Sequence, residues 1–478
     1  MTSYRNVCEV IVPNDLCIGC GLCIGVCPPD VLEMRFNEYG EYIAFEYKEG
    51  CLPKCDLCLR ACPFWNQEDN EDTLSQQAFA KSTGIDHRKE TGYVLECYVG
   101  YSKKKGQRAN GASGGLATWF LQKLIEDNIV DKVVTVSPNQ DVDKLYQYSI
   151  LSSPEEIQAA SRSCYYPVEI GTVIQQIISA ENARYAVVGL PCFLKGLRLA
   201  MRKNRRLRNR LSILIGLTCG QAKSKFFVEY LTALKGGNAA NLTNVQFREK
   251  ADKRPATDYG HKLTWQNASE EEREATIFWT EGIEQAWTHN YFQPNSCNFC
   301  DDIFAETADV TFMDAWLPEY VQDYQGHSLI INRNSFLESL WSQALSCNDV
   351  LLKKIDIDSV IKSQAGVLHE KRDGLQYRLS QYQNEEYVIK KRFPPLSKCN
   401  IFDRRLWDLK SKASRLSREL WQKDKNLNSF QNGLRWISWE IWLIQTGKRI
   451  YHTFKQGRFK SALLKRVRKL IAFTKENK

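Results

Sequence analysis

The sequence predicts an α+β protein with a small cysteine-dense N-terminal domain, a larger mixed α/β domain and a helical C-terminal extension. Three observations support this architecture. Eight cysteines stand at short, repeated spacings between residues 15 and 64. Beyond residue 97, short Val- and Ile-rich runs alternate with amphipathic stretches, as strands and helices do in an α/β sheet. Beyond residue 393 the chain becomes basic and helical in pattern.

The predicted domain boundaries follow these changes in composition. They are 1–66 for the cysteine-dense domain, 67–96 for a polar linker that packs little, 97–392 for the α/β domain and 393–478 for the extension. Strands are predicted for VDKVVTV around Asp131, RYAVVGL at Arg184, RLSILIGL at Arg210 and ADVTFMDA at Ala308. Helices are predicted for LATWFLQKLIEDN and KSKFFVEYLTALK.

Composition indicates an ordinary globular protein, with 43% hydrophobic and 25% charged residues. No basic region followed by an apolar run opens the chain, and no run reaches the roughly 18 apolar residues of a spanning helix, so a cytoplasmic protein is expected. In that reducing compartment, 17 cysteines at short spacings indicate metal ligands or redox groups rather than disulfides.

The net charge of +9 is unevenly distributed. Residues 401–478 carry 20 Lys and Arg against 6 Asp and Glu, a local charge of +14, which leaves −5 for the rest of the chain. The extension is therefore expected to have its own partner or surface. Nucleic acid is not an expected partner, because the positive charge is confined to the tail and no recognition motif accompanies it.

Two cysteine motifs predict a bacterial ferredoxin-like domain with two 4Fe-4S clusters. The first has the spacing C-x2-C-x2-C-x3-C-P; the second has one more residue in its first gap. In paired motifs of this kind the fourth cysteine ligates the other cluster. We therefore assign Cys17, Cys20, Cys23 and Cys62 to one cluster, and Cys51, Cys55, Cys58 and Cys27 to the other.

Gly19 and Gly21 are expected to let backbone N–H groups approach the inorganic sulfides of the first cluster. Zinc is the alternative metal, since CxxC pairs also bind zinc, but a zinc site has no reason for the Cys-Pro endings.

Four further cysteines follow predicted strands or form a pair, and these are Cys192, Cys219, Cys297 and Cys300. Thiols at strand ends are placed to meet where α/β sheets bind ligands, which predicts a third 4Fe-4S cluster. The alternative is that Cys192 and Cys219 are small buried hydrophobes. The isolated cysteines, which are Cys8, Cys97, Cys164, Cys347 and Cys399, are predicted to be structural.

A glycine-rich turn, NGASGG, precedes a predicted helix and includes Asn110, Ser113, Gly114 and Gly115. With Ser113 near the N-cap, the helix amides would suit a phosphate or pyrophosphate, although an ordinary tight turn fits the same residues. A one-electron relay that serves a two-electron substrate needs an intermediary such as a flavin. No GxGxxG follows a strand, which disfavours a Rossmann nicotinamide domain.

Together these residues resemble the beta-subunit family of coenzyme F420 hydrogenases and dehydrogenases, which also includes hydroxymethyl-chlorophyll reductases, divinyl-chlorophyllide vinyl reductases and members encoded with polysaccharide genes. The resemblance spans roughly 15–332. It rests on the two cysteine motifs and on the blocks NGASGGLATWFLQKLIEDNIVDKVV, VVGLPCFLKGLR, IGLTCG and SCNFCDDIFAETADVTFMDAW.

The resemblance implies an FAD-binding catalytic domain over 97–392 that is supplied by iron–sulfur clusters. It places Ser113, Gly114 and Gly115 at the FAD phosphates, and the four further cysteines as cluster ligands or flavin neighbours. It implies structural roles, or alternatively catalytic ones, for Asp301 and Asp314. Met313 departs from the family, which often has glycine there, so this turn is expected to differ.

Other polar residues are weaker candidates. Arg333 is expected either to meet an anion or, more simply, to be an exposed arginine at a strand end. His261 and His289 are candidate proton donors, but lone histidines are more often structural. The tryptophan-containing and basic amphipathic segments of the extension predict peripheral contact with the inner membrane surface, packing on the chain's own domain, or docking on a partner protein.

The leading functional hypothesis is an iron–sulfur flavoprotein oxidoreductase. A ferredoxin or a similar one-electron partner, or alternatively reduced deazaflavin, exchanges electrons with the clusters, and FAD exchanges them with a small organic substrate. The alternative is an electron-transfer subunit without its own substrate that docks on a catalytic partner. A third hypothesis, in which the clusters only stabilise the fold, is disfavoured because one closed site would suffice.

Overall fold

The structure is a computed structural model that describes residues 5–65, 69–267, 269–346, 348–382, 384, 387–396 and 399–455. The N-terminal domain contains a 3₁₀ helix at Val7–Glu9, two short α-helices and one β-hairpin. In chain order these elements are α1 (Leu22–Gly25), β1 (Leu32–Phe36), β2 (Tyr42–Glu46) and α2 (Leu57–Ala61). Strands β1 and β2 pair antiparallel with Met34 opposite Ala44.

The segment predicted to be a linker that packs little is folded and packed, so that prediction was wrong. It forms α3 (Glu71–Phe79), β3 (Asp86–Arg88) and β4 (Gly92–Val94). Leu74 and Phe79 of α3 are buried, and Glu71 pairs with Lys195 at 3.1 Å while both side chains are nearly buried. The sequence did not reveal this helix because its buried face is half polar, with Glu71 and Ser75 beside Leu74 and Phe79.

The α/β domain begins with the next strand and continues to residue 381. In chain order its elements are β5 (Glu96–Ser102), α4 (Gln107–Asn110), α5 (Leu116–Glu126), β6 (Lys132–Pro138), β7 (Tyr146–Leu151), α6 (Pro154–Ala159), α7 (Gly171–Ser179), β8 (Tyr185–Gly189), α8 (Pro191–Lys203), α9 (Arg205–Arg210), β9 (Leu211–Leu217), α10 (Phe226–Leu234), β10 (Leu242–Glu249), β11 (Gly260–Gln266), β12 (Glu272–Phe278), α11 (Ile283–Thr288), β13 (Val310–Asp314), β14 (Ser328–Asn332), α12 (Glu338–Ser346), β15 (Val350–Lys354), α13 (Ile357–Ser363) and α14 (Ala365–Gln381). The strands and helices predicted from the sequence runs are all present.

A mixed eight-stranded sheet organises this domain, in the order β15-β5-β14-β13-β9-β8-β6-β7. Strands β13, β9, β8 and β6 are parallel, with Val188 opposite Ile215, and the outer strands are antiparallel to their neighbours. A separate antiparallel sheet has the order β10-β11-β12. The α+β fold class predicted from the sequence is confirmed.

Helices cover both faces of the large sheet. On one face α5 and α12 bury Trp119, Phe120 and Trp341, and the rings of Phe120 and Trp341 stack at 5.0 Å. On the other face α7 and α8 bury Ile174 and Leu194. Because both faces are covered, the central strands are apolar throughout, as in most parallel sheets.

The C-terminal extension forms a helical hairpin of α15 (Ile401–Asp424) and α16 (Leu427–Lys455). It packs on α10 and the three-stranded sheet through Trp421, Phe430 and Ile441, which are all buried. For the described residues, the prediction that the extension packs on its own domain is confirmed. The basic segment around Leu463 lies outside the described residues, and no described helix is long and apolar enough to cross a bilayer.

The N-terminal domain is joined to the large sheet through α7 and α8. Ile170 N donates to Cys20 O at 3.0 Å, and a Cβ on Gly171 would lie 2.0 Å from Gly21 O. A Cβ on Gly196 would lie 2.3 Å from Leu22 Cδ1. Glycine is therefore required for the cysteine motif to approach the sheet this closely.

We predict that Gly171→Ala lowers the free energy of unfolding by about 1–3 kcal/mol, because the added methyl overpacks this contact. Gly366→Ala is the matched control. Gly366 also lies in a helix but has open space around it, so the gain in helix propensity should raise stability by about 0.5–1 kcal/mol. Denaturant titrations measure both changes, and equal effects of the two substitutions would contradict the close approach.

Candidate functional site

The first predicted set of four cysteines lies in the interior of the N-terminal domain. Burial raises the pKa of the Cys23 thiol well above its usual range, and the nearby Cys20, Cys17 and Cys62 thiols raise it further. Cys20 and Cys23 are buried in the domain core. Cys62, from the end of the second motif, therefore lies with three cysteines of the first motif.

The second predicted set lies nearer the surface. Burial, with smaller contributions from the Cys27 and Cys51 thiols, raises the pKa of the Cys58 thiol to about 12, although backbone hydrogen bonds from Val7 and Leu59 lower it. Leu52 is 49% exposed and stands in the three-residue gap between Cys51 and Cys55. The extra residue of this motif therefore lies in an exposed loop beside these two cysteines.

The third group comes from three separate parts of the α/β domain. Cys192 is the second residue of α8, Cys219 follows β9, and Cys297 lies in the 3₁₀ helix Asn295–Phe299 that precedes Cys300. Burial raises the pKa of Cys192 well above its usual range, and the Cys300, Cys219 and Cys297 thiols raise it further. The Cys20 thiol also raises the pKa of Cys192, so the third group lies beside the first set of four cysteines in the N-terminal domain.

Lys371 of α14 accompanies the third group and was not identified from the sequence. It is 3% exposed, and its Nζ donates to Cys297 O at 2.7 Å. Burial alone lowers its pKa, but the Cys300, Cys297 and Cys219 thiols outweigh burial and raise the pKa above its usual value. A buried ammonium here offsets the negative charge of thiolates. The polar sequence of α14 carries no pattern from which Lys371 could have been predicted.

All three groups offer thiols alone as donors, which suits 4Fe-4S clusters. No three His, Cys, Asp or Glu side chains within the described ranges converge closely enough to hold a single metal ion. In a cubane each thiolate binds a different iron atom, so its ligands stand farther apart than those of one ion.

A large cavity lies against the third group. Its volume is about 580 Å³, and its wall includes Cys219. The carboxyl ends of β8, β9 and β13 and the start of α5 form one side of the cavity. Aromatic side chains from other elements face them, namely Tyr165, Tyr259, Trp279, Trp287 and Trp316. The volume and lining suit a flat, largely apolar ligand.

The glycine-rich turn meets this cavity only in part. Gly111, Ala112, Ser113 and Gly115 line it, whereas Asn110 ends α4 and borders a shallow depression elsewhere. The N-cap of α5 is Gly115 at φ +77°, two residues after Ser113. Ser113 Oγ instead donates to His327 O at 2.6 Å, and Gly114 N donates to Ser328 Oγ at 3.1 Å. The turn is therefore attached to β14, and the first turn of α5 is left facing the cavity.

Two cations that sequence reasoning missed hold the carbonyl oxygens of this turn. Arg248 Nη2 donates to Ala112 O at 2.9 Å and to Asp314 Oδ1 at 2.6 Å. Lys250 Nζ donates to Ser113 O at 2.7 Å. Burial, with the Arg248 and Arg108 guanidinium groups, lowers the pKa of Lys250 to about 7. Both residues lie in or just after β10, which has no glycine-rich or cysteine signal.

The weaker candidates are mostly structural. Arg333 is fully buried and donates to Thr311 Oγ1 at 2.8 Å and Phe304 O at 3.0 Å, so the prediction of an exposed strand-end arginine was wrong. Asp301 pairs with Arg392 at 2.6 Å inside the protein. Asp314 lines the cavity beside Arg248.

Among the isolated cysteines, Cys97 is buried in β5, Cys164 lines the cavity, and Cys8 is close enough to Cys17 to be affected by its charge. Cys347 lies outside the described residues.

The two candidate histidines are buried. Burial lowers the pKa of His261 to about 3 and that of His289 to about 4. His261 stands behind the cavity wall, 5.7 Å from the Tyr165 ring centroid. Both imidazoles are therefore neutral near pH 7 and are poor proton donors.

We predict that His261 makes the fold sensitive to acid. Its pKa in the folded state lies below the value of about 6.5 in the unfolded chain, so the unfolded chain binds more protons as pH falls below that value. His261 should contribute a loss of about 1.4 kcal/mol of stability per pH unit between roughly pH 6 and pH 5, and His289, whose pKa is lowered to about 4, should add a similar loss.

Denaturant titrations at several pH values measure this slope. His261→Asn should reduce this slope by the His261 contribution, and His87→Asn, at an exposed position, should leave it unchanged. Equal slopes for the wild type and His261→Asn would show that His261 does not cause the acid sensitivity.

Sequence profiles of known families match three consecutive parts of the chain. Residues 16–66 match the 4Fe-4S dicluster domain, which supports iron–sulfur clusters over zinc for that domain. Residues 97–175 match the N-terminal part of the coenzyme F420 hydrogenase/dehydrogenase beta subunit, and 182–358 match its C terminus.

Individual relatives are distant. An uncharacterized protein of Methanocaldococcus jannaschii is 20% identical over 76% of this chain and 96% of its own length. The coenzyme F420-dependent sulfite reductase of the same organism is 23% identical over 74% of this chain, which spans 50% of that enzyme.

Among solved structures, a chain of the F420-reducing [NiFe] hydrogenase complex from Methanosarcina barkeri is 15% identical, with a TM-score of 0.47 over 64% of this chain and 99% of that one. The two beta-subunit profiles together span more than half of the sequence, in order and next to the dicluster domain. The chain is an iron–sulfur electron-transfer protein and belongs to the coenzyme F420 hydrogenase/dehydrogenase beta-subunit family.

Proposed function

We propose that this protein is an iron–sulfur flavoprotein oxidoreductase that exchanges electrons between a one-electron carrier and an organic substrate bound in the 580 Å³ cavity. One observation carries the proposal. The three thiol groups form a continuous series from the exposed Cys51 loop, through the buried Cys20 set, to Cys219 in the cavity wall. A series of redox groups that runs from the surface to a cavity can transfer electrons between a partner at the surface and a molecule in the cavity.

The surface end suits a protein carrier. The loop between Cys51 and Cys55 projects Leu52, and Phe45 and Tyr47 of the same domain are 41% and 39% exposed. Small interfaces are typical of the brief contacts between electron-transfer partners. A ferredoxin is the proposed carrier, and reduced deazaflavin is the alternative donor that the name of the sulfite reductase suggests.

The inner end would hold the third 4Fe-4S cluster. Cys192, Cys219, Cys297 and Cys300 supply four thiolates, and Lys371 offsets their charge. The placement of Cys20 beside Cys192 keeps this site next to the first N-terminal set.

The cavity would hold FAD with its phosphates at the start of α5. The first turn of α5 faces the cavity with free backbone N–H groups, which favours an anion. Arg248 and Lys250 fix the Ala112 and Ser113 carbonyls away from that anion. When bound, a flavin converts between one-electron and two-electron chemistry. The aromatic side chains on the opposite wall would offer stacking surfaces to a flat ring.

Anaerobic purification with measurement of iron, acid-labile sulfide and flavin tests the cofactor content. We expect about twelve irons per chain, four for each of three clusters, and one FAD. The double substitution Cys192→Ala/Cys219→Ala should lower the content to about eight irons and leave the N-terminal clusters intact.

Cys97→Ala is the control, since Cys97 is a free thiol of the same domain but lies in β5, outside the third group. About eight irons in the wild type would remove the third cluster from the proposal. Eight irons without flavin would favour an electron-transfer subunit that docks on a catalytic partner.

Flavin retention tests the role of the α5 turn. Lys250→Met should lower the flavin content of the purified protein at least severalfold, because the Ser113 carbonyl loses its donor and the turn loosens. Lys253→Met, three residues away at an exposed position, should retain the wild-type content. Equal flavin content in both variants, measured by absorbance after denaturation, would place the phosphates elsewhere.

A further inference from the structure

Helix α16 is apolar on two opposite faces. Its inner face packs against the core through Phe430, Leu434, Ile437 and Ile441, which are at most 5% exposed. Its outer face carries Trp436 and Trp439, which are 68% and 40% exposed, and Leu443, which is 38% exposed. These three positions follow the i, i+3, i+7 spacing of one helix face. Large apolar side chains gathered on an exposed face indicate a surface that binds something.

The hairpin around this outer face is basic. Residues 401–455 contain 12 Lys and Arg but only 5 Asp and Glu. Two of those carboxylates are already paired within the hairpin, Glu440 with Arg405 at 2.6 Å and Asp403 with Lys448. The sequence beyond residue 455 adds 8 Lys and Arg and a single Glu. Three of the cations are paired with carboxylates of other elements, Lys410 with Glu370, Arg418 with Glu41 and Lys425 with Glu229. The hairpin that carries the face still has an excess of positive charge.

We propose that the outer face formed by Trp436, Trp439 and Leu443 docks on the surface of an anionic lipid bilayer. Indole rings favour the headgroup region of a bilayer, and Lys and Arg beside them are attracted to anionic lipids. The rings of Trp436 and Trp439 lie 5.0 Å apart and form one contact area. A second copy of this chain fits less well, because two basic hairpins repel one another. The proposal is independent of the redox function.

Co-sedimentation of the full chain with lipid vesicles tests the proposal. The chain should bind vesicles of phosphatidylglycerol and phosphatidylcholine in equal parts, more weakly at high salt, and should bind phosphatidylcholine vesicles poorly. Trp436→Ser/Trp439→Ser should weaken binding at least ~tenfold. Leu443→Gln is a milder second variant that should weaken it in the same direction.

Phe336→Ser is the matched control, since Phe336 is 65% exposed but lies in a 3₁₀ helix of the α/β domain, and it should bind as the wild type does. Circular dichroism and cluster absorbance confirm that each variant is folded. The proposal is overturned if the wild type ignores anionic vesicles, or if it binds them as tightly without the two tryptophans. A wild-type dimer that the double substitution converts to a monomer, without vesicle binding, would also overturn it.

Discussion

The close contact of the first cysteine motif with α7 is the constraint on which the rest of the structure depends. Gly21 and Gly171 meet backbone to backbone, and Ile170 N donates to Cys20 O at 3.0 Å. Electron tunnelling slows steeply with distance, so a chain that passes electrons between domains must hold its redox groups close together. Glycine on both sides achieves this because a side chain at either position would separate the two domains. The position of Cys20 beside Cys192 follows from this contact.

A second constraint is that the charges buried around the thiol groups must be compensated. Arg392 is almost fully buried and binds Asp301 at 2.6 Å and Glu306 at 2.6 Å, and Arg372 binds Glu306 at 2.9 Å. Removing one side chain of this network would leave a buried charge without a partner, and the resulting loss of folding stability is far larger than the net stability that an ion pair contributes. This network joins the loop after Cys300 to α14, and the same helix brings Lys371 to the third thiol group. Helix α14, which follows the last strand of the large sheet, is therefore part of the site around the third thiol group.

Local patterns were sufficient to predict the parts of the fold that local interactions determine. The central strands were visible as Val- and Ile-rich runs such as RYAVVGL, and α5 as an amphipathic stretch, because both elements bury contiguous apolar residues. Cysteine spacing was likewise sufficient for the dicluster domain. The placement of the third thiol group agrees with the prediction that thiols following parallel strands would meet. Its ligand role stays a prediction.

Side chains that act through tertiary contacts could not be predicted in this way. Arg248 and Lys250 reach the glycine-rich turn from a strand more than 130 residues away in sequence, and Lys371 comes from a helix with no apolar stripe. Arg333 was expected at the surface because arginine is usually exposed at strand ends, but the loops that contain Thr91 and Phe304 cover it and supply acceptors. Helix α3 was missed because only two of its four buried residues, Leu74 and Phe79, are apolar.

The C-terminal hairpin shows why a segment outside the family's profiles is still integral to the structure. Arg418 of α15 reaches the N-terminal domain and pairs with Glu41 at 3.2 Å and Asp15 at 3.1 Å. Trp421 Nε1 donates to Glu229 of α10 at 3.0 Å. The inner side of the hairpin thus joins the cysteine-dense domain to the α/β domain. Because α16 places its exposed tryptophans on the opposite side, any partner of that surface can bind without disturbing the contact that holds the redox groups together.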